Sequence, residues 1–231
     1  GTHPFSHWKN QIVTDKSRYH GFMDSTQYVG KRMLIFGMHV HIGIKDKDLR
    51  IDVMNQMRYF MPHILALSTS SPFWQGNDTG FKSFRSIIFE DLPRTGIPEI
   101  FESYQDYKNY TKTLIKCNSI SDPTKIWWDI RPHSKFPTLE IRICDCTTKI
   151  NEVIAIVALI QSIVAKLIML RQSNQSWRTY RSSMIAENKW RAIKDGVKGK
   201  LIDFGRQTEV SVSELAKELI YPQVLKIEKL F

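Results

Sequence analysis

Two histidines separated by a single residue lie in an apolar stretch near the amino end of the sequence. They are His39 and His41, within residues 33–44, and glycines stand on either side at Gly37 and Gly43. Side chains alternate along a β-strand, so residues i and i+2 point from one face. Such a strand directs two imidazoles at one ion or phosphate, because imidazole binds Mn²⁺ or Zn²⁺ and donates to phosphate when protonated. The pattern equally fits two polar residues on the wet face of a half-buried strand.

A second segment further along the chain alternates strictly between apolar and polar residues. Leu139, Ile141 and Ile143 would face a core, while Glu140 and Arg142 share the other face. A carboxylate and a guanidinium therefore lie two residues apart on one surface. An ordinary ion pair on an exposed sheet has the same spacing and contributes little to stability.

A third strand is predicted just before the second. Apart from Asp129 and Arg131, residues 126–132 are apolar or aromatic, and the turn formers of residues 133–137 join them to the Glu140 strand. The resulting hairpin would bring Asp129 and Arg131 close to Glu140. The sequence therefore predicts a cluster of charged side chains on one face of a small antiparallel sheet.

Apolar spacing predicts helices around this sheet. They cover residues 48–67 with Asp48 as the N-cap, then 98–116, 151–171 and 177–193, followed by a hairpin over 201–210 and a short helix capped by Ser211 and Glu214. The third helix is apolar almost all round, yet it contains Lys166. A lysine at the centre of a membrane span costs about 2.5–3.5 kcal/mol, so we predict a helix buried against the sheet and no membrane span.

Composition limits the class of protein. The chain has 231 residues and 42% hydrophobic residues, enough for one large soluble domain. Its net charge is +10, but the 33 lysines and arginines form no long basic run. An anionic small molecule such as a nucleotide is therefore favoured over nucleic acid. The odd count of three cysteines favours a reducing compartment, and the cytoplasm is the expected location.

Three motifs, in this order, resemble the glutamate–cysteine ligase type 2 family of bacterial carboxylate–amine ligases. They are G-M-H-V-H-I-G at 37–43, A-L-S-T-S-S-P-F-W-Q-G-N-D-T-G-F-K-S-F-R at 66–85 and W-W-D-I-R-P-H-S-K-F-P-T-L-E-I-R-I-C-D at 127–145. The opening G-T-H-P-F and the Arg18-Tyr19 pair are also similar to that family. The resemblance covers nearly the whole chain.

The resemblance implies a fold and a reaction. The fold is α+β, with an antiparallel sheet of the glutamine synthetase-like catalytic type and helices packed on one face, in a single domain over residues 1–231. The implied cofactors are ATP and Mg²⁺ or Mn²⁺. The implied reaction activates a carboxylate as an acyl phosphate and then joins it to an amine. Glutamate is the family's namesake carboxylate, the amine is open, and a homodimer is the default expectation.

The motifs also imply roles for single residues. His39 and Glu140 would be metal ligands, and His41 would face the nucleotide phosphates. Arg131 and Arg142 would hold phosphoryl or carboxylate oxygens, for which the planar guanidinium is better suited than lysine.

Three further residues are predicted to bind the substrate. Ser71 and Arg85 lie in a loop of turn formers and aromatics, and Asp129 precedes Arg131 on its strand. From composition alone, the same loop fits a surface loop held in place by its aromatic residues. The resemblance favours the substrate-binding role.

The family's amino-terminal strand, with its G-x-E-x-E metal ligands, has no counterpart in this sequence, and the carboxyl end after Leu230 stops earlier than the family pattern. We therefore expect an incomplete copy of the ligase domain that binds nucleotide weakly and turns over little by itself.

Two other classes of protein remain open. A metal-dependent amidohydrolase also begins with H-x-H on a strand, and His63, His133 and Asp145 could supply further ligands. That fold requires alternating β and α units, whereas His63 lies on a predicted helix and His133 in a turn. A basic binding module without catalysis would leave the Glu140 and Arg142 face as mere surface.

Overall fold

A computed structural model describes residues 1–220 of the chain. The helices are α1 (Ser17–Lys31), α2 (Lys47–Met57), α3 (Met61–Ser68), α4 (Phe84–Phe89), α5 (Tyr104–Lys116), α6 (Ile150–Gln172), α7 (Ser182–Asp195) and α8 (Val212–Ile220). The strands are β1 (Val40–Gly43), β2 (Phe73–Trp74), β3 (Asn77–Asp78), β4 (Ile130–Pro132), β5 (Thr138–Ile141), β6 (Lys200–Asp203) and β7 (Thr208–Ser211).

The strands form three small antiparallel sheets. The central sheet has the order β1-β5-β4, and the β2-β3 and β6-β7 pairs are separate hairpins. Helices make up most of the remaining structure, so the prediction of an α+β fold is confirmed. The β6-β7 hairpin was also predicted, and the Ser211 hydroxyl accepts a hydrogen bond from the Glu214 backbone N–H at 3.2 Å, as expected for an N-cap.

The core lies on one side of the central sheet. Helix α6 contacts α2, α3 and β1, and α2 also packs against β4 and β5. Apolar side chains of the sheet, among them Ile130, Leu139 and Ile141, are fully buried against these helices. The other face of the same strands is therefore left for the polar residues.

The predicted helix over residues 48–67 differs from the structure at its start and in its middle. Asp46, not Asp48, is the N-cap, because its carboxylate accepts the Leu49 N–H at 2.7 Å. Asp48 lies in the first turn and accepts the Tyr104 N–H at 2.8 Å. A 3₁₀ turn at residues 58–60 then divides the helix in two. Helix α3 restarts with Pro62, which is well tolerated in a first turn because the N–H it lacks would have no partner there.

Two other helices begin later than predicted. Helix α5 begins at Tyr104 because the preceding Ser103 hydroxyl accepts the Asp106 N–H at 3.1 Å. Helix α7 begins at residue 182, so Trp177 and Tyr180 precede it. Apolar residues continue at helical spacing across both boundaries, so the sequence prediction placed the helix starts too early.

Helix α6 is long and apolar enough, by length and composition, to cross a membrane. One of its faces packs in the core through Ile160, Ile163 and Leu167. Only 28% of its most apolar window is buried, and Ile150 and Ile154 near its start are exposed. The prediction of burial against the sheet is thus confirmed for one face of this helix.

Candidate active site

The register of the central sheet brings the predicted polar residues together. Strand β5 lies between its two neighbours, with Glu140 directly opposite His41 on β1 and opposite Arg131 on β4. Residues directly opposite each other in neighbouring strands share a face. His39 stands two residues before His41, and Arg142 stands two residues after Glu140. Both therefore extend the same face.

Glu140 is the centre of this cluster, and its two carboxylate oxygens contact different groups. Oε2 accepts a hydrogen bond from Nε of Arg131 at 2.8 Å, and Oε1 accepts one from Nη1 of Arg142 at 2.6 Å. Oε1 also lies 3.3 Å from Nδ1 of His39 and 3.8 Å from Nε2 of His41. One carboxylate therefore connects two guanidinium groups and two imidazoles.

The cluster is almost entirely removed from solvent on its carboxylate and arginine side. Glu140 is 2% exposed, Arg131 8% and Arg142 9%. Burial by itself raises the pKa of Glu140, but hydrogen bonds from His39 and Arg131 and the charges of both arginines hold it well below its usual value. Glu140 is thus a permanent anion at neutral pH.

The two histidines form the accessible side of the cluster. Their side chains are 36% and 35% exposed, for His39 and His41 in that order. The hydrogen bond with Glu140 raises the pKa of His39, but burial and the nearby Arg142 outweigh it and lower that pKa below its usual value. His39 is therefore neutral at pH 7, which is the state in which imidazole binds metals.

The cluster offers two well-placed atoms for a divalent cation. Oε1 of Glu140 and Nδ1 of His39 lie 3.3 Å apart. Nδ1 binds a cation only in the tautomer in which it carries no proton, so a bound cation would replace the hydrogen bond between His39 and Glu140. Residues 1–220 contain no group of three or more histidine, cysteine or acidic side chains arranged to hold a metal. These two residues fit Mg²⁺ or Mn²⁺ only if the remaining ligands are supplied by phosphate oxygens, water or residues outside this range.

Arg85 lies beneath the cluster and supports its central strand. Its guanidinium donates to the backbone carbonyls of Arg142 and Ile143, each at 3.1 Å. Gly37 makes this position available, because a Cβ there would lie 2.5 Å from an Arg85 nitrogen. Arg85 is 4% exposed. It also lies 3.9 Å from the Asp145 carboxylate and 5.5 Å from the centre of the Phe89 ring. Its predicted role in substrate binding stays a prediction.

Ser71 connects its loop to the segment that follows β5. Its hydroxyl donates to Asp145 at 2.6 Å, and the same carboxylate accepts from the Ser83 hydroxyl at 2.9 Å and the Ser70 N–H at 2.9 Å. Asp145 is fully buried. The loop is therefore held against the sheet by one carboxylate, and substrate binding by Ser71 itself stays a prediction.

Asp129 belongs to a buried ion pair. Its carboxylate accepts a hydrogen bond from Nζ of Lys189 on α7 at 2.6 Å, and Lys189 also lies 2.8 Å from Glu90. The backbone carbonyl of Asp129 accepts the Arg142 N–H at 2.7 Å. Asp129 thus joins the helix to the strand that carries Arg142, and its predicted contact with substrate stays a prediction.

The sequence of the whole chain matches a known family. The model of glutamate–cysteine ligase family 2 matches residues 1–229. This chain belongs to that family.

Individual relatives agree with the family match. A protein of Herpetosiphon aurantiacus named "Putative glutamate–cysteine ligase 2" is 53% identical over 219 residues, 95% of this chain and 57% of the relative. Relatives with the same name from Roseiflexus castenholzii and Sorangium cellulosum are 52% and 50% identical, again over 95% of this chain and over 58% and 59% of their own lengths. The chain therefore spans less than two thirds of the length of these ligase relatives.

The amidohydrolase alternative is not favoured for this member of the glutamate–cysteine ligase family. Of its proposed ligands, the His133 ring lies 5.3 Å from that of His41, but His63 is buried in α3 and Asp145 is surrounded by serine hydroxyls. The central strands β1, β5 and β4 are antiparallel, whereas that fold needs parallel strands alternating with helices. The basic-module alternative is not favoured either, because Glu140 and Arg142 are buried.

Sequence reasoning missed Lys189, which is 5% exposed. A signal was present, because Lys189 stands midway between Ile185 and Ile193 on the buried stripe of α7. A lysine on an apolar helical stripe is seldom buried without a partner. That spacing indicated a hidden carboxylate, although it did not identify Asp129.

Proposed function

We propose that this chain carries the phosphoryl-transfer site of an ATP-dependent carboxylate–amine ligase of the glutamate–cysteine ligase type. The observation that carries the proposal is Glu140, held between Arg131 and Arg142 with His39 beside it. A surface ion pair needs neither the burial nor the second guanidinium. A site that neutralises a transferring phosphoryl group needs both cations and a fixed carboxylate.

The proposed fold is the catalytic sheet of the glutamine synthetase type. Support comes from the antiparallel order β1-β5-β4, with helices against one face and the polar cluster on the other. A single sheet face would then form one wall of the substrate funnel.

The proposed reaction has two steps. A carboxylate oxygen attacks the γ-phosphorus of ATP, the bond from that phosphorus to the β,γ-bridging oxygen breaks, and ADP leaves with the electron pair. An amine nitrogen then attacks the acyl carbon, phosphate leaves with the electron pair of the C–O bond, and the nitrogen loses a proton to solvent or to a nearby base. Glutamate is the carboxylate proposed from the family, and the amine is to be found by assay.

The arginines and histidines would divide the work in the first step. Arg131 and Arg142 would bind phosphoryl or carboxylate oxygens, and Nε of Arg142 is buried without a hydrogen-bond partner among residues 1–220. His39 and Glu140 would hold Mg²⁺, which when bound neutralises triphosphate charge. His41 would face the phosphates, with its ring fixed by a 3.0 Å contact between Nδ1 and the Thr138 hydroxyl.

The decisive experiment measures ADP release with ATP, Mg²⁺, glutamate and a panel of amines. The assay is run on this chain and on a version that is extended at its amino terminus with the matching segment of one of the relatives. We expect little turnover from the first and robust turnover from the second, because the described residues supply few carboxylates for metal binding. If neither form releases ADP with any amine, the ligase proposal is contradicted. Robust turnover by the unextended chain would contradict the expectation that its own residues supply too few carboxylates for metal binding.

Arg142→Lys tests the role of the guanidinium. The lysine keeps the positive charge but loses the planar fork, so turnover of the extended protein should fall by about 10²-fold, roughly the effect of removing one donor from a charge-stabilising site. Stability should fall much less, because an ammonium still contacts Glu140. Turnover and urea unfolding are measured on the same preparation, and full activity would indicate that Arg142 is only an ion-pair partner.

A further inference from the structure

The polar face of the central sheet continues past Glu140 into residues to which the ligase motifs assign no role. The backbone N–H of His133 donates to the Thr138 carbonyl at 2.9 Å, which extends the pairing of β4 with β5 by one residue. Thr138 stands opposite Gly43 on β1. Each of these three residues lies two positions from a member of the Glu140 face on its own strand, so all three share that face. We call Gly43, Thr138 and His133 the outer row.

The ring of His133 has a fixed tautomer. Its Nδ1 accepts hydrogen bonds from the backbone N–H groups of Lys135 and Phe136, at 3.2 and 3.0 Å, so this nitrogen carries no proton. Burial lowers the pKa of His133 below its usual value, and nearby cations act in the same direction against Glu140. The ring is therefore neutral at pH 7, and its proton is on Nε2.

The Nε2–H group of His133 is a free donor on this face. Within residues 1–220, Nε2 has no hydrogen-bond partner and is not among the buried unpartnered atoms, so a ligand can reach it. The ring stacks on Phe136, with centres 4.9 Å apart, and meets the His41 ring edge to face at 5.3 Å. A side chain held in this way loses little freedom when it binds a ligand.

Gly43 leaves open space at the other end of the outer row. A Cβ added there would meet no heavy atom within 4 Å. The φ angle of Gly43 lies outside the left-handed region, so the backbone conformation does not require glycine. A glycine within a strand often marks a place where a ligand approaches closely. Thr138, between the two ends, is already engaged, because its hydroxyl contacts Nδ1 of His41 at 3.0 Å.

The charges on the face determine which chemical group suits each row. The Glu140 carboxylate holds the guanidinium groups of Arg131 and Arg142, and a triphosphate with its metal needs such cations. The His133 donor is neutral, which suits a single carboxylate oxygen. Rows two residues apart on a strand are separated by roughly 6–7 Å. A molecule that contacts both rows therefore carries two separate polar groups.

We propose that the outer row binds a second carboxylate of the substrate, separate from the one that reacts, through the Nε2–H group of His133. This inference rests on the proposed ligase function, in which the reacting carboxylate lies at Arg131 and Arg142. An amino dicarboxylate such as glutamate has this form. His133 thus selects a dicarboxylate over a monocarboxylate that has the same reacting group.

The test compares glutamate with γ-aminobutyrate, which keeps the reacting carboxylate and the amino group but lacks the second carboxylate. His133→Asn retains the turn, because an asparagine oxygen accepts the backbone N–H two residues on, but the side chain is too short to replace the Nε2 donor. In the extended protein this change should raise the KM for glutamate about tenfold with kcat nearly unchanged, as expected for the loss of one hydrogen bond to a charged group. The KM values for γ-aminobutyrate and ATP should stay nearly unchanged.

Two other variants separate ligand binding from a structural role of the turn. Ser134→Ala alters an exposed residue of the same turn and should leave every KM nearly unchanged. Gly43→Ala places a methyl group in the open space, so the KM for glutamate should rise while the thermal unfolding temperature does not fall. An equal rise in KM for glutamate and γ-aminobutyrate overturns the assignment, and so does a rise for ATP alone, which would place a phosphate at His133.

Binding without turnover separates this inference from the ligase proposal. Isothermal titration measures glutamate and γ-aminobutyrate on this chain and on its extended form, in the absence of ATP. If His133→Asn removes a preference for glutamate, the subsite stands even where no amine supports ADP release. If ADP release is robust and His133→Asn leaves the preference intact, the reaction stands and the outer row does not bind the second carboxylate. Absence of glutamate binding to both forms also overturns the assignment.

Discussion

Glu140→Gln is expected to eliminate Mg²⁺-dependent ATP binding and amide formation by the extended protein. The amide keeps the shape of the side chain but removes the only anion among residues 1–220 that Arg131 and Arg142 contact. The same change leaves two buried guanidinium groups uncompensated, so we also expect a loss of about 3–5 kcal/mol in the free energy of unfolding. Isothermal titration with ATP and urea unfolding measure the two effects.

His39→Ala separates binding from stability. Its side chain is 36% exposed, so its removal should lower stability by less than about 1 kcal/mol. Mg²⁺-dependent binding should nevertheless be lost, because one of the two candidate ligand atoms is gone. Tight Mg²⁺-ATP binding by both variants would contradict the metal assignment.

The acid dependence of stability provides a second readout for Glu140. Its folded-state pKa lies well below the ordinary value of 4.5, so its contribution is complete above about pH 4.5 and is lost as the pH falls through the folded-state pKa. Wild type should therefore lose stability in acid more steeply than Glu140→Gln. Glu209→Gln is the control, because Glu209 forms an exposed ion pair with Arg191 and should contribute little.

The central site was largely predictable because β-strands have a period of two. His39 and His41, and separately Glu140 and Arg142, share faces by spacing alone, and a short hairpin turn set the neighbourhood of Arg131. The resemblance to the family then predicted that the residues on these faces belong to one site. Local periodicity was sufficient because each motif is contained within one strand.

Other features depended on contacts between distant parts of the chain. Asp145 is surrounded by hydroxyls from a loop more than sixty residues earlier, and Lys189 reaches Asp129 from a helix sixty residues later. No spacing rule connects such pairs. The helix start at Asp46 was missed for a smaller reason, because two aspartates stand two residues apart and either can serve as an N-cap.

Lys189→Met is expected to destabilise the folded chain by about 3–5 kcal/mol. Lys189 is 5% exposed and lies beside Asp129, and removing its ammonium leaves that carboxylate buried without a counter-ion. Methionine fills nearly the same volume, so the loss reports charge and not a cavity. Urea unfolding at pH 7 measures it, and Lys194→Met, an exposed lysine of the same helix, should change stability by less than about 0.5 kcal/mol.

Two further measurements identify the buried ion pair as the cause of this loss. Burial lowers the pKa of Lys189, but Asp129 and Glu90 outweigh that effect and raise it above the ordinary 10.5. The pair therefore stabilises the fold fully below pH 10.5 and loses its contribution as the pH rises through the folded-state pKa, a loss that Lys189→Met should not show. Combining Lys189→Met with Asp129→Asn should recover part of the stability, because no buried charge then lacks its partner. If the double variant is as unstable as the sum of the two single variants, Lys189 and Asp129 are not energetically coupled.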